Sequence, residues 1–183
     1  MGQIKPYPPV KYFSAITFST EINPNNIYDD LEKLFSPIDS KSEIFNFDRF
    51  TSYYQTEMGK GLQKQIVSFL TLMPAEKLPA IKTSTNEIEK KYISEGKRTV
   101  NIDPGYLTTA RMVLATTKDY DHRIYLGMGI FGDIHYRFRK GHFQNNDWTY
   151  PDYQQDEIRQ YFEKLRTVYL GRLKTWNSGL IED

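Results

Sequence analysis

Stretches with strand composition alternate with stretches of helical periodicity in the first half of the chain. Four segments carry alternating or continuous apolar residues, rich in β-branched and aromatic side chains, and this pattern predicts β-strands. They are 11–19, 43–48, 65–73 and 98–102. A further extended piece, TSYYQTEM at 51–58, leads to a glycine turn at 59–61.

Two segments between these strands place their apolar residues on one helical face. In the first, Ile27, Leu31 and Leu34 recur at steps of four and three, after an Asn23-Pro24 pair that is typical of a helix start. The second opens at Pro79, ends at Gly96 and has its face at Ile81, Thr85, Ile88 and Tyr92.

The resulting order is strand, helix, strand, strand, helix, strand. This is the split βαβ order of a ferredoxin-like sheet with both helices on one face. The sequence therefore predicts an α+β fold built on a ferredoxin-like antiparallel core.

The second half of the chain extends this core. Asp103-Pro104-Gly105 predicts a turn, and 107–117 favours a helix, although the run MVLATT within it also suits a strand. Segments 122–127 and 134–139 predict a β-hairpin around several glycines. Segment 152–176 has the steps of three and four expected of a long amphipathic helix. We expect a C-terminal hairpin and this helix to complete the fold.

Composition narrows the class of protein. The chain has 183 residues, which predicts a single domain over 1–183, with residues 1–10 as an extended leader. It has no cysteine, and its formal charge is +1. No apolar run reaches the roughly 20 residues that span a bilayer, so we expect no membrane partner. These features favour a cytoplasmic location.

Familiar nucleotide-binding and metal-binding motifs do not occur. The chain has no Gly-x-x-x-x-Gly-Lys-Ser/Thr loop, and the glycines at 127, 129 and 132 lead into a strand instead of a helix, which removes the usual dinucleotide fingerprint. It has no His-Glu-x-x-His pair. Any site must therefore be built from scattered residues.

Five blocks of sequence give the chain a recognisable resemblance. They are SYYQTEMG (52–59), KTSTNEIE (82–89), NIDPGYL (101–107), LATTKDYDHRIYLG (114–127) and WTYPDY (148–153). On these blocks, the chain closely resembles a bacterial and archaeal family named domain of unknown function 4416. The resemblance covers almost the whole length and implies no established reaction.

Charged residues are dense in one of these blocks. Lys118, Asp119, His122 and Arg123 lie within six positions, and Asp103 joins them if the chain folds back on itself. His122, Asp103 and Asp119 are our candidates for acid–base chemistry, since His titrates near neutral pH and carboxylates orient it. Lys118 and Arg123 are candidates for binding a phosphate or carboxylate. The alternative is a solvated loop.

Three residues from other blocks are candidates to complete such a site. Tyr54 and Glu57 could stand at the rim of a cleft, and Asn86 could point into it. The carboxylates of Asp103, Asp119 and Glu57 could also hold a hard cation such as Mg²⁺, although the sequence leaves the cofactor open. We therefore expect binding of a small anionic metabolite, a phosphate compound or nucleotide, and leave open whether the protein is an enzyme.

Two other functions fit the sequence. The segment 134–142 (IHYRFRKGH) mixes cations with aromatic residues and places His135, Arg137 and Arg139 on one face of a strand, a pattern that suits RNA binding. A protein-interaction or assembly module without catalysis is the third reading, with aromatic-rich strands forming the interface. The oligomeric state is left open.

Overall fold

A large antiparallel sheet dominates the computed structural model, which describes residues 2–177. The strands are β1 (Val10–Ser19), β2 (Ile38–Lys41), β3 (Phe45–Asn46), β4 (Leu62–Met73), β5 (Ile93–Ser94), β6 (Lys97–Arg98), β7 (Val100–Leu107), β8 (Arg111–Thr116), β9 (Arg123–Gly127), β10 (Ile130–Arg139) and β11 (His142–Asn145). The helices are α1 (Pro24–Leu34), α2 (Gln55–Met58), α3 (Leu78–Lys90) and α4 (Asp156–Asn177). Short 3-10 turns lie at Phe47–Arg49, Ala75–Lys77 and Pro151–Gln154.

Nine of the described strands form one sheet. Its main order is β11-β10-β8-β7-β1-β4-β2, and every pairing is antiparallel. Strand β9 pairs with β10 on the same edge as β11, and β3 pairs with β4 on the same edge as β2. Strands β5 and β6 form a separate small hairpin.

Helices cover both faces of the sheet. On β1, Tyr12, Ile16 and Phe18 pack into a core shared with α1 and α3, whereas Phe13 and Ala15 pack into a core shared with α4. This division follows from the period of two along a strand, because successive side chains point to opposite faces. No helix in the described part of the chain combines the length and apolarity needed to cross a bilayer.

The predicted helices α1 and α4 are confirmed, each with its apolar face buried. The Asn23 side chain accepts a hydrogen bond from the Asn25 N–H at the start of α1, and Pro24 occupies its first turn. In α4, the side chains at 158, 162, 165 and 169 are buried against the sheet. The mixed α and β class with a large antiparallel sheet is therefore confirmed.

The helix favoured at 107–117 is wrong, because this segment contains strand β8. Met112 and Leu114 pack toward α4, while Val113 and Ala115 pack toward the other helices. A central strand that is buried on both faces has a continuous apolar run, which periodicity alone cannot distinguish from a helix. Thr108 accepts hydrogen bonds from the N–H groups of residues 110 and 111, so it caps the turn into β8.

The turn predicted at Asp103-Pro104-Gly105 is also wrong, because these residues lie inside β7. Pro104 lies opposite Ser14 of β1, whereas the pairing of β7 with β8 begins only at Gly105, so on the β8 side no strand residue is paired with Pro104. A Cβ at Gly105 would lie 2.4 Å from the Val113 carbonyl oxygen and 2.6 Å from Phe13 Cζ. Close packing explains this glycine.

Several further boundaries differ from the prediction. The helix predicted to end at Gly96 ends at Lys90, and β5 follows it. The extended piece at 51–58 is a turn followed by α2, because Met58 packs with Phe47 and Leu62 beside the sheet. The strand predicted at 43–48 is reduced to β3, and the edge strand β2 was not predicted, because IDSK lacks an apolar alternation.

Candidate functional site

A two-lobed cleft lies where α2, α3 and the loop after β8 meet the sheet. One lobe, which we call the polar lobe, has a volume of about 360 Å³. The other, which we call the aromatic lobe, has a volume of about 260 Å³. Both lobes are lined by Tyr53, Tyr54, Asp103, Lys118 and Tyr150.

Asp103 is a carboxylate that lines both lobes. Its Oδ1 lies 3.2 Å from Lys82 Nζ, and its Oδ2 accepts a 2.7 Å hydrogen bond from the Asn101 side chain. Burial alone would raise the pKa of Asp103, but the charges of Lys82 and Lys64, with the hydrogen bonds from Lys82 and Asn101, outweigh it and lower the pKa below its usual value. Asp103 is therefore an anion near neutral pH.

A chain of ion pairs continues along the polar lobe from α3 to α2. Arg98 bridges two carboxylates, donating from Nη1 to Glu89 Oε2 at 2.8 Å and from Nη2 to Glu57 Oε2 at 3.0 Å. Glu89 also accepts from the Ile102 N–H at 2.7 Å, which fixes α3 against β7. Burial raises the pKa of Glu89, although Lys82 and Arg98 oppose the rise. The cations on this side of the polar lobe are therefore held in place by ion pairs with carboxylates.

Lys118 differs from the other cations of the cleft. Its Nζ donates a 2.7 Å hydrogen bond to the hydroxyl of Tyr53 and lies 4.3 Å from the centre of that ring. Within residues 2–177, no carboxylate forms an ion pair with it. The side chain is exposed and reaches across the boundary between the lobes. It is therefore a cation with a neutral partner at the mouth of the cleft.

Aromatic side chains form the walls of the second lobe. Phe47, Phe50 and Tyr120 join the three tyrosines shared by both lobes. Burial, with the nearby charge of Asp103, raises the pKa of Tyr54 far above its ordinary value. Burial also raises the pKa of Tyr150. Near neutral pH these hydroxyls are protonated and can donate hydrogen bonds.

Two buried lysines line the cleft at its inner end, which we call its floor: Lys82 in the polar lobe and Lys64 in the aromatic lobe. Lys64 Nζ lies 2.6 Å from Asp152 Oδ2, with both side chains 5% exposed, and its ammonium lies 4.7 Å from the centre of the Phe47 ring. Lys82 Nζ also donates to the Ile102 carbonyl at 2.7 Å. Because both ammonium groups are paired and buried, they fix the position of the floor.

Five of the predicted site residues come together in this cleft. They are Asp103, Lys118, Glu57, Asn86 and Tyr54. Asp103, the loop carrying Lys118 and helix α3 meet because β7 pairs with β8 and α3 packs on β7.

The other three predicted residues do not line the cleft. Arg123 lies behind its wall, where Nε contacts Asp133 Oδ2 at 3.1 Å and Nη2 donates to the Tyr150 hydroxyl at 2.8 Å. His122 stacks on Trp148 with ring centres 4.7 Å apart. Asp119 is exposed. His122 Nε2 also lies 3.4 Å from Asp133 Oδ2, so His122 and Arg123 both contact this carboxylate of the wall without lining the cleft themselves. The structure therefore brings Asp103 and Lys118 of the charged cluster into the cleft and leaves Asp119, His122 and Arg123 outside its lining.

Several residues of the site were not predicted. They are Lys82, Glu89, Arg98, Asn101, Asp133 and Tyr150. One signal could have found two of them: Lys82, Asn86 and Glu89 recur at steps of four and three, so they share a helical face next to the apolar one. The remaining residues come from separate strands and a loop, and only the fold brings them together.

No group of three or more His, Asp or Glu side chains among the described residues has the arrangement of a metal site. The carboxylates considered for Mg²⁺ are separated in the structure. Glu57 pairs with Arg98, Asp103 pairs with Lys82, and Asp119 lies outside the cleft.

Comparison with known proteins places the chain in a family. A family model described as domain of unknown function (DUF4416) matches residues 8–169. The chain belongs to this family. The matched range contains every residue of both lobes of the cleft. No curated protein and no solved structure matches.

Proposed function

We propose that the cleft binds a small anionic ligand, a phosphate compound or a nucleotide, with its anionic group at Lys118. The observation that carries this proposal is the state of the Lys118 ammonium, which is exposed at the mouth of the cleft and bonded to a phenol. The other cations of the lining are already paired with carboxylates. Lys118 is therefore the cation of the cleft that can pair with an entering anion without first breaking an ion pair.

The two lobes suit different parts of such a ligand. Rings packed among Tyr53, Tyr120 and Tyr150 would bury apolar area and stack on aromatic faces. In the polar lobe, the carboxylate of Asp103 and the amide of Asn86 can accept hydrogen bonds from sugar hydroxyls. Each lobe has a volume near the lower end of ligand sites, roughly 300 Å³. A nucleoside monophosphate has these three parts.

The proposal is one of binding, with catalysis left aside. The catalytic roles predicted for His122, Asp103 and Asp119 require these groups to meet at one reacting atom. Of the three, Asp103 lines the cleft, and the other two lie outside it. Asp103 is therefore the residue of this set that we assign to ligand contact.

A thermal-shift screen tests the proposal. The probes are inorganic phosphate, ribose 5-phosphate, adenosine and guanosine monophosphates, the two free nucleosides, and a short RNA, each with and without Mg²⁺. A probe at about 100 times its dissociation constant stabilises the folded state by about 2.7 kcal/mol, which raises the midpoint of a chain of this size by roughly 5 °C.

We expect stabilisation by the phosphorylated compounds and its loss in the Lys118→Ala variant. The matched control is Lys164→Ala, which removes an exposed lysine from α4 outside both lobes. No stabilisation by any phosphate compound, or equal stabilisation of the Lys118→Ala variant, would refute the proposal.

RNA binding through the segment 134–142 stays a prediction, and the structure offers it few aromatic surfaces. Arg137 and Arg139 are exposed, but His135 is buried. Tyr136 is also fully buried. A base needs an exposed ring on which to stack. For this reason we favour the cleft. The cytoplasmic location likewise stays a prediction.

We also propose that the core is ferredoxin-like. The support is the spatial order β7-β1-β4-β2, in which α1 follows β1 and α3 follows β4. Both helices contribute to the same apolar core. In this interpretation β8, β10 and β11 extend the split βαβ sheet beyond β7, and α4 covers its second face.

A further inference from the structure

Strand β9 has one edge that no described residue pairs with. It pairs with β10 on one side through residues 123–127, and the sheet ends there. Its side chains are unusually apolar for a sheet edge. Ile124 and Tyr125 are each 61% exposed, Leu126 is 39% exposed and Met128, in the following turn, is 64% exposed. A strand with free N–H and C=O groups and exposed apolar side chains is a template for pairing with another strand.

Two other edge strands of the sheet, β11 and β2, are protected in ways that β9 is not. On β11, the Phe143 N–H donates to Glu163 Oε1 on α4 at 3.1 Å. On β2, the charged side chains of Asp39 and Lys41 interrupt the strand. Charges and covering side chains are the usual means of preventing edge-to-edge association. Strand β9 has neither exposed charges nor a covering side chain from the described part of the chain along residues 124–127, so its edge is free to pair with another strand.

The turn after β9 supports the same conclusion. Met128 has a φ of 56°, in the left-handed region that glycine adopts at lower cost. Glycines occupy both neighbouring positions, yet this position keeps a large apolar side chain that projects into solvent. The left-handed backbone at Met128 costs free energy, and the exposed side chain makes up for little of it within the chain. We take this as a sign that the Met128 side chain contacts another molecule.

We propose that β9 pairs with β9 of a second copy of this chain, forming an antiparallel two-fold dimer. The segment from Ile124 to Gly132 has no charged residue, so two copies can meet without like charges facing each other. With the two-fold axis at Tyr125, Ile124 lies opposite the partner subunit's Leu126 and the reverse, so the apolar pair is self-complementary. A charged peptide would find no complementary charge on this strand. The sheet would then continue through both copies.

Sedimentation velocity over a range of concentrations tests this proposal, independently of any ligand. A contact made by one short strand from each copy buries little surface and is therefore weak. We expect the dimer to form at protein concentrations of about 10–100 μM. Ile124→Lys should abolish it, because the strand would then carry a charge at the interface. Val168→Lys is the matched control, since Val168 is an exposed apolar residue (46%) on α4.

A cross-linking experiment gives a second readout that does not depend on the fold tolerating a charge. The chain has no cysteine, so the single cysteine of a Tyr125→Cys variant reports one contact. Directly opposed residues of antiparallel strands have Cα atoms about 4.5–5.5 Å apart, which fits a disulfide. Under mild oxidation we expect a covalent dimer of Tyr125→Cys and a monomer of Val168→Cys.

Three results would overturn the proposal. The first is a wild-type monomer at every concentration, which would leave the strand to a different partner protein. The second is a dimer that Ile124→Lys leaves intact, which would place the contact elsewhere. The third is equal cross-linking of the two cysteine variants, which would show random collision.

Discussion

His135 is a buried imidazole whose two nitrogens have fixed partners. The Tyr150 N–H donates to its Nε2 at 3.0 Å, and its Nδ1 lies 3.4 Å from Asp133 Oδ1. Because Nε2 accepts a hydrogen bond, the proton of the neutral ring lies on Nδ1, facing the carboxylate. Burial lowers the pKa of His135 below its ordinary value, although Asp133 opposes the change. The neutral His135 ring therefore holds the Tyr150 backbone in place at the cleft through this hydrogen bond.

This burial predicts a pH dependence of stability. In the unfolded chain His135 binds a proton as the pH falls through about 6.5, whereas in the folded chain it stays neutral to lower pH. The free energy of unfolding should therefore fall below pH 6.5, by at most about 1.4 kcal/mol per pH unit. Urea unfolding between pH 7.5 and 5 measures this slope.

The matched variants for this prediction are His135→Gln and His142→Gln. His142 is exposed, so its removal should leave the slope as in the wild type. His135→Gln should flatten the slope above pH 5, whatever its effect on stability at neutral pH. If both variants keep the wild-type slope, the assignment of the pH dependence to His135 is wrong.

Three of the predicted residues that line the cleft could be selected from the sequence by residue type alone. Lys118, Asp103 and Glu57 are charged residues in blocks that stand out from the apolar pattern. The sequence could not show that Arg123 and Asp133 would be buried against each other, because their pairing depends on the register of β9 on β10. A charge cluster along the chain therefore indicated the region and not the set of residues that meet.

At the scale of elements, strands β7 and β8 decide the geometry of the cleft. Their close pairing at Gly105 and Leu114 carries Asp103 and the loop with Lys118 to the same site. The sequence signals for both strands were misleading, since a proline and a glycine usually mark a turn and an apolar run buried on both faces has no periodicity. Helices α1, α3 and α4 were predictable because each has one apolar face.

Gly105→Ala tests the close approach of these strands. The added Cβ would meet the Val113 carbonyl and the Phe13 ring, both of which are held in the sheet. We expect a loss of about 3 kcal/mol in the free energy of unfolding, measured by urea denaturation.

The control for this substitution is Gly171→Ala on α4. Apart from the neighbouring backbone of α4 itself, no atom lies within 4 Å of a Cβ built at Gly171, so this change should raise the free energy of unfolding by about 0.5–1 kcal/mol through helix propensity. Equal effects of the two substitutions would contradict the packing account of Gly105.

For the whole molecule, one sheet supports two separate surfaces. The cleft lies among α2, α3 and the loop after β8, while the unpaired edge lies at β9. Arg123 connects them, because it is the first residue of β9 and contacts Asp133 and Tyr150 in the wall of the cleft. Much of the order of secondary structure can be predicted from the sequence, but the full set of residues at either surface cannot, since both surfaces depend on which strands become neighbours.

Isothermal titration calorimetry tests the central claim, that Lys118 receives the anionic group of a ligand in the cleft. The titrants are a nucleoside monophosphate and its free nucleoside, each with the wild type and with Lys118→Ala. A hydrogen bond to a charged group contributes about 1.5–3 kcal/mol, so the variant should bind the monophosphate roughly 10- to 100-fold more weakly and the nucleoside unchanged. Equal affinity of the two proteins for the monophosphate, or no measurable binding by the wild type, would contradict the claim.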